Sequence, residues 1–213
     1  RLGVCDEHFW DNCALGVAEG VQAAIDELAK KGAHIIKIPM AEATEARKCL
    51  FDAFMFGVEG LSHVRQHFLD RMDSVDPTIE RRLNAGIDIT GVDYYTSVRT
   101  LERLNGVICD RLRHVDALVV PTVVHTPPTV EEVKDIDDYF VANGLMTQNT
   151  QPINMLALCG VTIPVALDKA GMPVGLQLVG ASGTEERVLS TALACERLFG
   201  TARERFGVPP LLK

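Results

Sequence analysis

The chain contains 213 residues, of which 47% are apolar and 23% charged, so it can fill the core of a globular protein and is not intrinsically disordered. Its 21 basic and 29 acidic residues give a formal net charge of −8. Because this charge repels phosphate backbones, we do not expect direct nucleic-acid binding. The six cysteines are far apart and form no Cys-x-x-Cys pair, which predicts a reducing, cytoplasmic location.

The first 40 residues predict a βαβ unit. A short apolar run at Leu2–Val4 is followed by apolar residues at helical spacing over residues 17–28, with Gly32 as the residue that ends the helix. A β-branched run at residues 35–38 then stops at Pro39. Two strands joined through one helix indicate a parallel pair with a right-handed crossover, so the sequence predicts an α/β fold.

Further helices are predicted in the middle of the chain. Residues 41–71 are helical in composition and carry a broad apolar face, and residues 93–113 place apolar side chains along one side of another helix. Residues 73–91, which lie between them, are polar and contain Pro and Gly. We therefore predict a connection there rather than a regular element.

The chain after the helices predicts strands and loops. Residues 117–120 are apolar and end at Pro121, which is typical of a buried strand. Residues 122–138 are rich in Pro and then acidic, which predicts an exposed loop or flap. Residues 139–167 carry no charge, but Asn, Gln, Pro and Gly interrupt them too often for a membrane span. We predict buried or pocket-lining chain there and no association with a membrane.

The C-terminal part predicts a hairpin and a final helix. Residues 161–167 and 174–179 are strand-like and are joined by six residues that contain Gly-Met-Pro. Thr184 then precedes an amphipathic pattern over residues 185–199, which predicts a helix with Thr184 as its N-cap.

One pattern resembles a metal site. Glu59, His63 and His67 are four residues apart on a predicted helix, a spacing that places them on neighbouring turns. No adjacent Glu and no fourth ligand accompany them, so a solvent-exposed helix face is the preferred interpretation. The serines include no Gly-x-Ser-x-Gly motif, and no two serines are adjacent. We therefore predict neither a metal centre nor a serine nucleophile within this sequence.

Four sequence blocks between residues 116 and 180 carry the most specific pattern. They are DALVVPT at 116–122, NTQPIN at 149–154, GVTIPV at 160–165 and GMPVGLQLVG at 171–180. In this order the blocks resemble the C-terminal half of the amidase signature hydrolases. Weaker blocks, from Arg82 to Gly86 and at Asp93-Tyr94, extend the resemblance over nearly the whole chain.

The resemblance implies amide hydrolysis by groups that this sequence does not contain. Family members use a Ser-cis-Ser-Lys triad in which one serine attacks the carbonyl, the second relays its proton and a neutral lysine accepts it. These groups lie in the family's N-terminal half, so no catalytic residue is assigned here. We expect residues 1–213 to be the C-terminal portion of a single amidase domain, a mixed β-sheet flanked by helices. Its partner is the missing N-terminal half, and no metal or organic cofactor is implied.

What remains for this chain is the wall of the substrate cavity. Thr122, Asn149, Thr150 and Asn154 are the candidate substrate-binding residues, because they carry small polar side chains in an uncharged segment between buried strands. The alternative that they only cap turns beside neighbouring prolines stays open. Gln177 is expected to carry a buried side-chain amide that forms hydrogen bonds with groups at the edge of the sheet.

Three functions compete at this stage. The glutamine-dependent transamidation subunit that acts on misacylated tRNA usually carries an acidic residue before the Thr-x-Pro segment, where this chain has Thr147, Gln148 and Asn149. Because loss of a charge-assisted hydrogen bond costs about 1.5 to 3 kcal/mol, a general amidase acting on a small, uncharged or weakly polar carboxamide is preferred. A non-catalytic binding module is the third interpretation, and a homodimer is an assembly that stays open.

Overall fold

The computed structural model of the chain describes residues 1–5 and 8–208. Five strands form one sheet in this part of the chain: β1 (Leu2–Val4), β2 (Ile35–Lys37), β3 (Ala117–Pro121), β4 (Cys159–Leu167) and β5 (Pro173–Gly180). The helices of the same part are α1 (Val17–Lys30), α2 (Glu42–Asp52), α3 (Met55–His67), α4 (Pro77–Asn84), α5 (Gly91–Leu112), α6 (Ile136–Met146), α7 (Thr150–Met155), α8 (Glu185–Phe199) and α9 (Ala202–Phe206). A 3₁₀ helix, Leu69–Ser74, follows α3.

The sheet is mixed and has the strand order β2-β1-β3-β5-β4. β1 is parallel to β2 and to β3, and Gly3 lies opposite Ile36 in the first pair. β5 is antiparallel to both β3 and β4, with Val161 opposite Leu178 in the hairpin. The predicted βαβ unit, hairpin and α/β class are therefore confirmed.

The central strand β3 separates two apolar layers. Its five residues are all buried, as a strand covered on both faces requires. Leu118 and Val120 pack into the layer formed with α2, α5 and α7, whereas Val119 packs into the layer formed with α1 and α8. This alternation follows from the period of two residues in a strand.

The predicted helix over residues 41–71 is broken in the structure. α2 ends at Asp52, and Phe54 adopts a left-handed backbone conformation (φ 37°) before α3 begins. The break turns α3 so that its Gly57 lies against Gly86, where an added Cβ would be 2.4 Å from the Gly57 carbonyl carbon. Gly86 lies in the turn after α4, and two backbones this close need glycine on both sides, because a Cβ on either residue would collide with the other segment.

The predicted connection over residues 73–91 was wrong in part, because it contains α4. Asp76 is the N-cap, and its Oδ1 accepts a hydrogen bond of 2.8 Å from the backbone N–H of Thr78. Pro77 occupies the first helical position, where its missing N–H costs nothing. An Asp-Pro pair before a helical run was thus a start signal inside a segment that looked like a loop.

The predicted loop over residues 122–138 and the uncharged segment over residues 139–167 were also wrong in part. α6 begins after Asp135, whose Oδ1 accepts a hydrogen bond of 2.8 Å from the N–H of Asp137. None of the α6 residues is buried, and α7 and β4 complete the uncharged segment. No helix in the described ranges has both the length and the apolarity needed to cross a bilayer.

The final long helix was predicted at the observed place but with a different cap. Thr184 occupies the N-cap position of α8, yet its side chain accepts no capping hydrogen bond. Instead, its hydroxyl donates 2.8 Å to the carbonyl oxygen of Ala181. The hydroxyl therefore closes the turn after β5 rather than the helix end.

Candidate functional site

Asn149 joins three separate segments of the chain. Its Nδ2 donates hydrogen bonds of 2.7 Å to the carbonyl oxygens of both Phe9 and Pro121. The side chain is fully buried, and its Oδ1 has no partner among the described residues. Both amide protons are used inside the protein, so the structure places this predicted site residue as a buried link at the start of α7.

The neighbouring Gln148 fixes the same end of α7 to the loop after β1. Its Nε2 donates to the carbonyl oxygens of His8 (3.2 Å) and Asp11 (2.8 Å), and its Oε1 accepts from Asn12 Nδ2 at 3.0 Å. His8 Nε2 lies 3.2 Å from the Gln148 carbonyl oxygen, and burial lowers the pKa of this imidazole. The start of α7 is therefore held by hydrogen bonds on two sides.

Thr122 lies on the sheet, directly after β3. Its backbone N–H donates to the Gly175 carbonyl oxygen at 3.0 Å, and its Oγ1 lies 3.1 Å from Thr162 Oγ1 on β4. A Cβ added at Gly175 would lie 2.7 Å from Thr122 Oγ1, so the close approach requires glycine. Thr122 does not line the cavity that contains Thr150 and Asn154.

Thr150 and Asn154 lie one helical turn apart on α7 and line a cavity of about 660 Å³. Such a volume is typical of small-molecule sites. Aromatic rings and uncharged polar side chains form most of its wall, and no described residue of the wall is acidic. The other lining residues are Phe51, Phe54, Phe56, Arg82, Phe140, Asn143, Gly144, Thr147 and Gln151. The structure thus brings two of the four predicted residues into one cavity and leaves Thr122 and Asn149 outside it.

Some polar side chains of this cavity already form hydrogen bonds within the protein, and others do not. Thr147 Oγ1 donates to the Asn143 carbonyl oxygen at 2.6 Å and accepts from Gln151 Nε2 at 2.9 Å. Thr150 Oγ1 donates to the Thr147 carbonyl oxygen at 3.3 Å. The side-chain amide of Asn154 has no partner among the described residues, and it is exposed to the cavity. On α7, the Asn154 amide and the Thr150 oxygen are therefore the side-chain groups available to a bound molecule.

Arg82 is the cationic residue of the cavity wall, and it was not predicted from the sequence as a site residue. It is half-buried, and its Nη2 donates 2.6 Å to Asn143 Oδ1. Its guanidinium carbon lies 5.2 Å from the centre of the Phe140 ring and 5.7 Å from that of Tyr139. Arg82 belongs to the weaker sequence block from Arg82 to Gly86, which was the available signal for a site residue. Its contacts with α6, about 60 residues away in the sequence, could not be predicted from that block.

A second arginine lies behind the same wall. Arg47 Nε donates to Gln151 Oε1 at 3.2 Å, and its Nη2 lies 3.5 Å from the Gly144 carbonyl oxygen. Its guanidinium carbon is 5.0 Å from the centre of the Phe51 ring, and burial lowers its pKa. Neither Arg47 nor Arg82 forms an ion pair with a carboxylate of the described residues.

A second cavity, of about 580 Å³, borders the other side of α6. Its wall includes Glu132 and Asp138 and none of the four predicted site residues. It is therefore the weaker candidate for the site.

Three of the cysteine thiols have raised pKa values, and the described residues contain no cluster that could hold a metal ion. Burial, together with the charges of Asp11 and Glu19, raises the pKa of Cys13 to about 11, and burial also raises the pKa values of Cys49 and Cys195. These cysteines stay protonated and are poor nucleophiles at neutral pH. Within residues 1–5 and 8–208, no three His, Cys, Asp or Glu side chains are grouped closely enough to hold a metal ion.

The chain is similar in sequence to a known family and to several characterised proteins. Residues 1–189 match a family described as Amidase. The 2-amino-5-chloromuconic acid deaminase of Comamonas testosteroni is 33% identical over 215 residues, which cover 99% of this chain and 46% of that protein. A glutamyl-tRNA(Gln) amidotransferase subunit of Trichormus variabilis is 27% identical over 221 residues, which cover 92% of this chain and 44% of that protein.

Solved structures share the fold. The Kluyveromyces lactis allophanate hydrolase superimposes with a TM-score of 0.82 at 18% identity, over 98% of this chain and 34% of that one. A 6-aminohexanoate cyclic dimer hydrolase complexed with its substrate gives a TM-score of 0.81 at 23% identity, over 100% of this chain and 47% of that one. The chain therefore spans less than half the length of these relatives and structures.

Proposed function

Because this chain belongs to the amidase family, we propose that it is the C-terminal portion of a single amidase domain and that the full-length protein hydrolyses the C–N bond of a carboxamide. The observation that carries this proposal is the family match over residues 1–189. The chain spans 46% of its relative from Comamonas, which leaves room for reacting groups on polypeptide that precedes residue 1.

The proposed reaction uses a Ser-cis-Ser-Lys triad located upstream of this sequence. The oxygen of the first serine forms a bond to the carbonyl carbon, and its proton passes through the second serine to a neutral lysine. The proton then moves to the leaving amine as the C–N bond breaks, and water hydrolyses the acyl-enzyme. Such a lysine needs a desolvated site, and the oxyanion needs backbone N–H donors.

The cavity beside α7 is the part of the substrate site that this chain supplies. The Asn154 amide and the Thr150 hydroxyl oxygen are the polar groups that α7 offers to the substrate, and the aromatic rings provide apolar surface for the rest of it. Asn149 fixes the start of α7 to the end of β3, and Thr122 joins the end of β3 to β4. No step of the proposed reaction needs a metal or an organic cofactor.

The test uses the full-length protein encoded by the complete gene. Reading the sequence before residue 1 should show a lysine followed by a Gly- and Ser-rich segment with two adjacent serines. The purified protein should hydrolyse simple aryl and alkyl amides, and alanine in place of either serine should abolish hydrolysis. An upstream sequence without these residues would instead favour a non-catalytic binding module.

The substrate wall has its own test in Asn154→Ala. Loss of one neutral hydrogen bond should lower kcat/KM by about 2- to 12-fold. Asn84→Ala is the matched control, because Asn84 is also an exposed asparagine on a helix but does not line the cavity. Equal effects of both variants would remove Asn154 from the proposed site.

The second candidate function is that of an amidotransferase subunit, which the match to the glutamyl-tRNA(Gln) amidotransferase of Trichormus variabilis favours. It predicts dependence on glutamine and co-purification with partner subunits. The absence of an acidic side chain at residues 147–149 opposes it, because the ammonium group of glutamine would lack a counter-ion there.

The location and assembly of the full-length protein are also proposals. A cytoplasmic location is in line with cysteines that form no disulfide bond within residues 1–5 and 8–208. Gel filtration of the full-length protein would test whether it forms a homodimer.

A further inference from the structure

We propose that Arg82 binds a carboxylate on the substrate, so that the preferred substrate is an amide that also carries an acidic group. This inference rests on the proposed amide hydrolysis and narrows the class of substrate. It replaces the uncharged or weakly polar carboxamide expected from the sequence with a negatively charged one.

The first support is the charge of the cavity. Arg82 is half-buried in the wall, and no described lining residue is acidic. Arg82 forms no ion pair with a described residue, whereas Arg81 and Arg103 both pair with carboxylates. A partly desolvated guanidinium without a counter-ion favours an anion that enters the same space.

The second support is the position of the guanidinium. Its carbon lies over the rings of Phe140 and Tyr139, and Nη2 donates to Asn143 Oδ1. An arginine has five N–H donors, and stacking on a ring leaves the donors at its edge free to bind. A planar group held in this way is suited to the two oxygens of a carboxylate, because little side-chain freedom is lost on binding.

The third support is the second cation behind the wall. The two polar contacts of Arg47 are to the neutral oxygens of Gln151 and Gly144, which both line the cavity. Its charge therefore adds to the positive potential there rather than being cancelled locally.

Thr150 and Asn154 line the same cavity as Arg82. A cavity of about 660 Å³ holds a molecule of the size of a short dicarboxylic acid monoamide. One such molecule would present its carboxylate to Arg82 and the rest of its chain to the rings and to α7.

The neighbouring Arg81 provides a matched control. Its Nη1 donates 2.6 Å to Asp137 Oδ1, so its charge is already neutralised. It also packs over the Phe140 ring, with its guanidinium carbon 4.8 Å from the ring centre. Arg81 thus has the same charge and the same aromatic neighbour as Arg82, but it does not line the cavity.

The experiment compares two substrates in the full-length protein. One is the monoamide of a six-carbon dicarboxylic acid, and the other is the six-carbon monoamide that ends in a methyl group. The wild-type protein should hydrolyse the acidic amide with a kcat/KM at least tenfold higher. Arg82→Gln should lower kcat/KM for the acidic amide by about 10- to 100-fold, mostly through KM, and change the neutral amide less than threefold.

Two further variants separate binding from structure. Arg82→Lys should restore part of the preference, because it keeps the charge but not the two-pronged geometry. Arg81→Gln should leave the preference unchanged. Equal losses on both substrates in Arg82→Gln, or a wild-type preference for the neutral amide, would overturn the proposal.

A binding measurement separates failure of this inference from failure of the proposed hydrolysis. If the wild-type protein hydrolyses neither amide, the Tm is measured with the six-carbon dicarboxylate as the probe. A rise in Tm that disappears in Arg82→Gln and persists in Arg81→Gln would support the carboxylate site without hydrolysis. No rise, or the same rise in both variants, would overturn it.

Discussion

The side-chain amide of Asn149 donates a hydrogen bond of 2.7 Å to the carbonyl oxygen of Pro121, the last residue of the central strand. The same amide donates to the Phe9 carbonyl oxygen. Asn149→Leu would leave the Pro121 oxygen without a partner among the described residues and the Phe9 oxygen with only the 4.0 Å contact from Cys13 Sγ. Since loss of the partner of a buried acceptor costs about 1–3 kcal/mol, loss of both bonds should lower the free energy of unfolding of the full-length protein by about 2–6 kcal/mol in urea titrations.

The control for this prediction keeps the shape of the side chain. Asn149→Asp has the same size, but it places carboxylate oxygens against two carbonyl oxygens and should destabilise at least as much as leucine. Asn154→Ala, on the exposed side of the same helix, should change the free energy of unfolding by less than about 0.5 kcal/mol. Wild-type stability of the aspartate variant would show that the amide protons of Asn149 are not what matters.

The contact between Gly57 and Gly86 gives a second prediction, about how α3 meets the end of α4. A Cβ at Gly86 would lie 2.4 Å from both the carbonyl carbon of Gly57 and the backbone nitrogen of Val58. Because backbone atoms cannot move aside as a flexible side chain would, Gly86→Ala should lower the free energy of unfolding by about 1–3 kcal/mol or more. Thermal unfolding followed by circular dichroism measures the loss.

Gly106 provides the opposite case for the same substitution. It lies inside α5, and an added Cβ would meet nothing within 4 Å. Gly106→Ala should therefore raise stability by about 0.5–1 kcal/mol, because alanine favours the helix. If both glycine variants were destabilised alike, the close contact between Gly57 and Gly86 would not explain the effect at Gly86.

The elements that were predicted correctly from the sequence depend on local patterns. The βαβ unit and the β4–β5 hairpin are recognisable because the apolar period and the turn residues lie within one short stretch. The break at Phe54 left no such mark, because residues 50–56 contain neither Gly nor Pro, and the contact between Gly57 and Gly86 that follows the break joins residues far apart in the sequence. α6 was missed for a related reason: its apolar side chains are spread around the helix, and none is buried.

The sequence predicted which segment of the chain lines the candidate site, but not which residues of that segment face the cavity. The block at residues 149–154 pointed to α7, but the sequence did not distinguish Asn149, which is buried, from Asn154, which faces the cavity. That difference arises because Asn149 meets β3 and the loop after β1, more than 100 residues away in the case of Phe9. Arg82 was missed because its contacts with α6 also depend on tertiary packing.

A third prediction concerns His8 and pH. Burial lowers the pKa of His8 below its ordinary value of 6.5, so between the lowered pKa and 6.5 the folded protein binds fewer protons than the unfolded chain. The free energy of unfolding should therefore fall as the pH drops from about 6.5 through the lowered pKa. His8→Asn, which tolerates the left-handed backbone of this residue (φ 52°), should remove that part of the pH dependence.

The measurement compares the wild-type protein with His8→Asn in urea titrations at about pH 7 and pH 5. An unchanged slope in His8→Asn would show that His8 does not contribute to acid sensitivity.

The last prediction concerns the ion pair between Glu42 and Arg111, which joins α2 to α5. Two hydrogen bonds of 2.8 Å connect the guanidinium to both carboxylate oxygens, and the side chains are only 15% and 25% exposed. Glu42→Gln should cost about 1–3 kcal/mol, because it weakens two charge-assisted bonds. Arg111 also holds the pKa of Glu42 below its ordinary value of 4.5.

The folded protein consequently binds fewer protons at Glu42 than the unfolded chain does between the lowered pKa and 4.5. The stability from this pair should be complete above about pH 4.5 and be lost as the pH falls through the lowered pKa. The control is Glu45→Gln in the pair with Arg103, whose side chains are 47% and 59% exposed, and it should cost less than about 1 kcal/mol. Urea titrations at about pH 7 and pH 4 should therefore show a difference between wild type and Glu42→Gln that shrinks at the lower pH. A difference that stays constant with pH would assign the loss to packing rather than to the charge of Glu42.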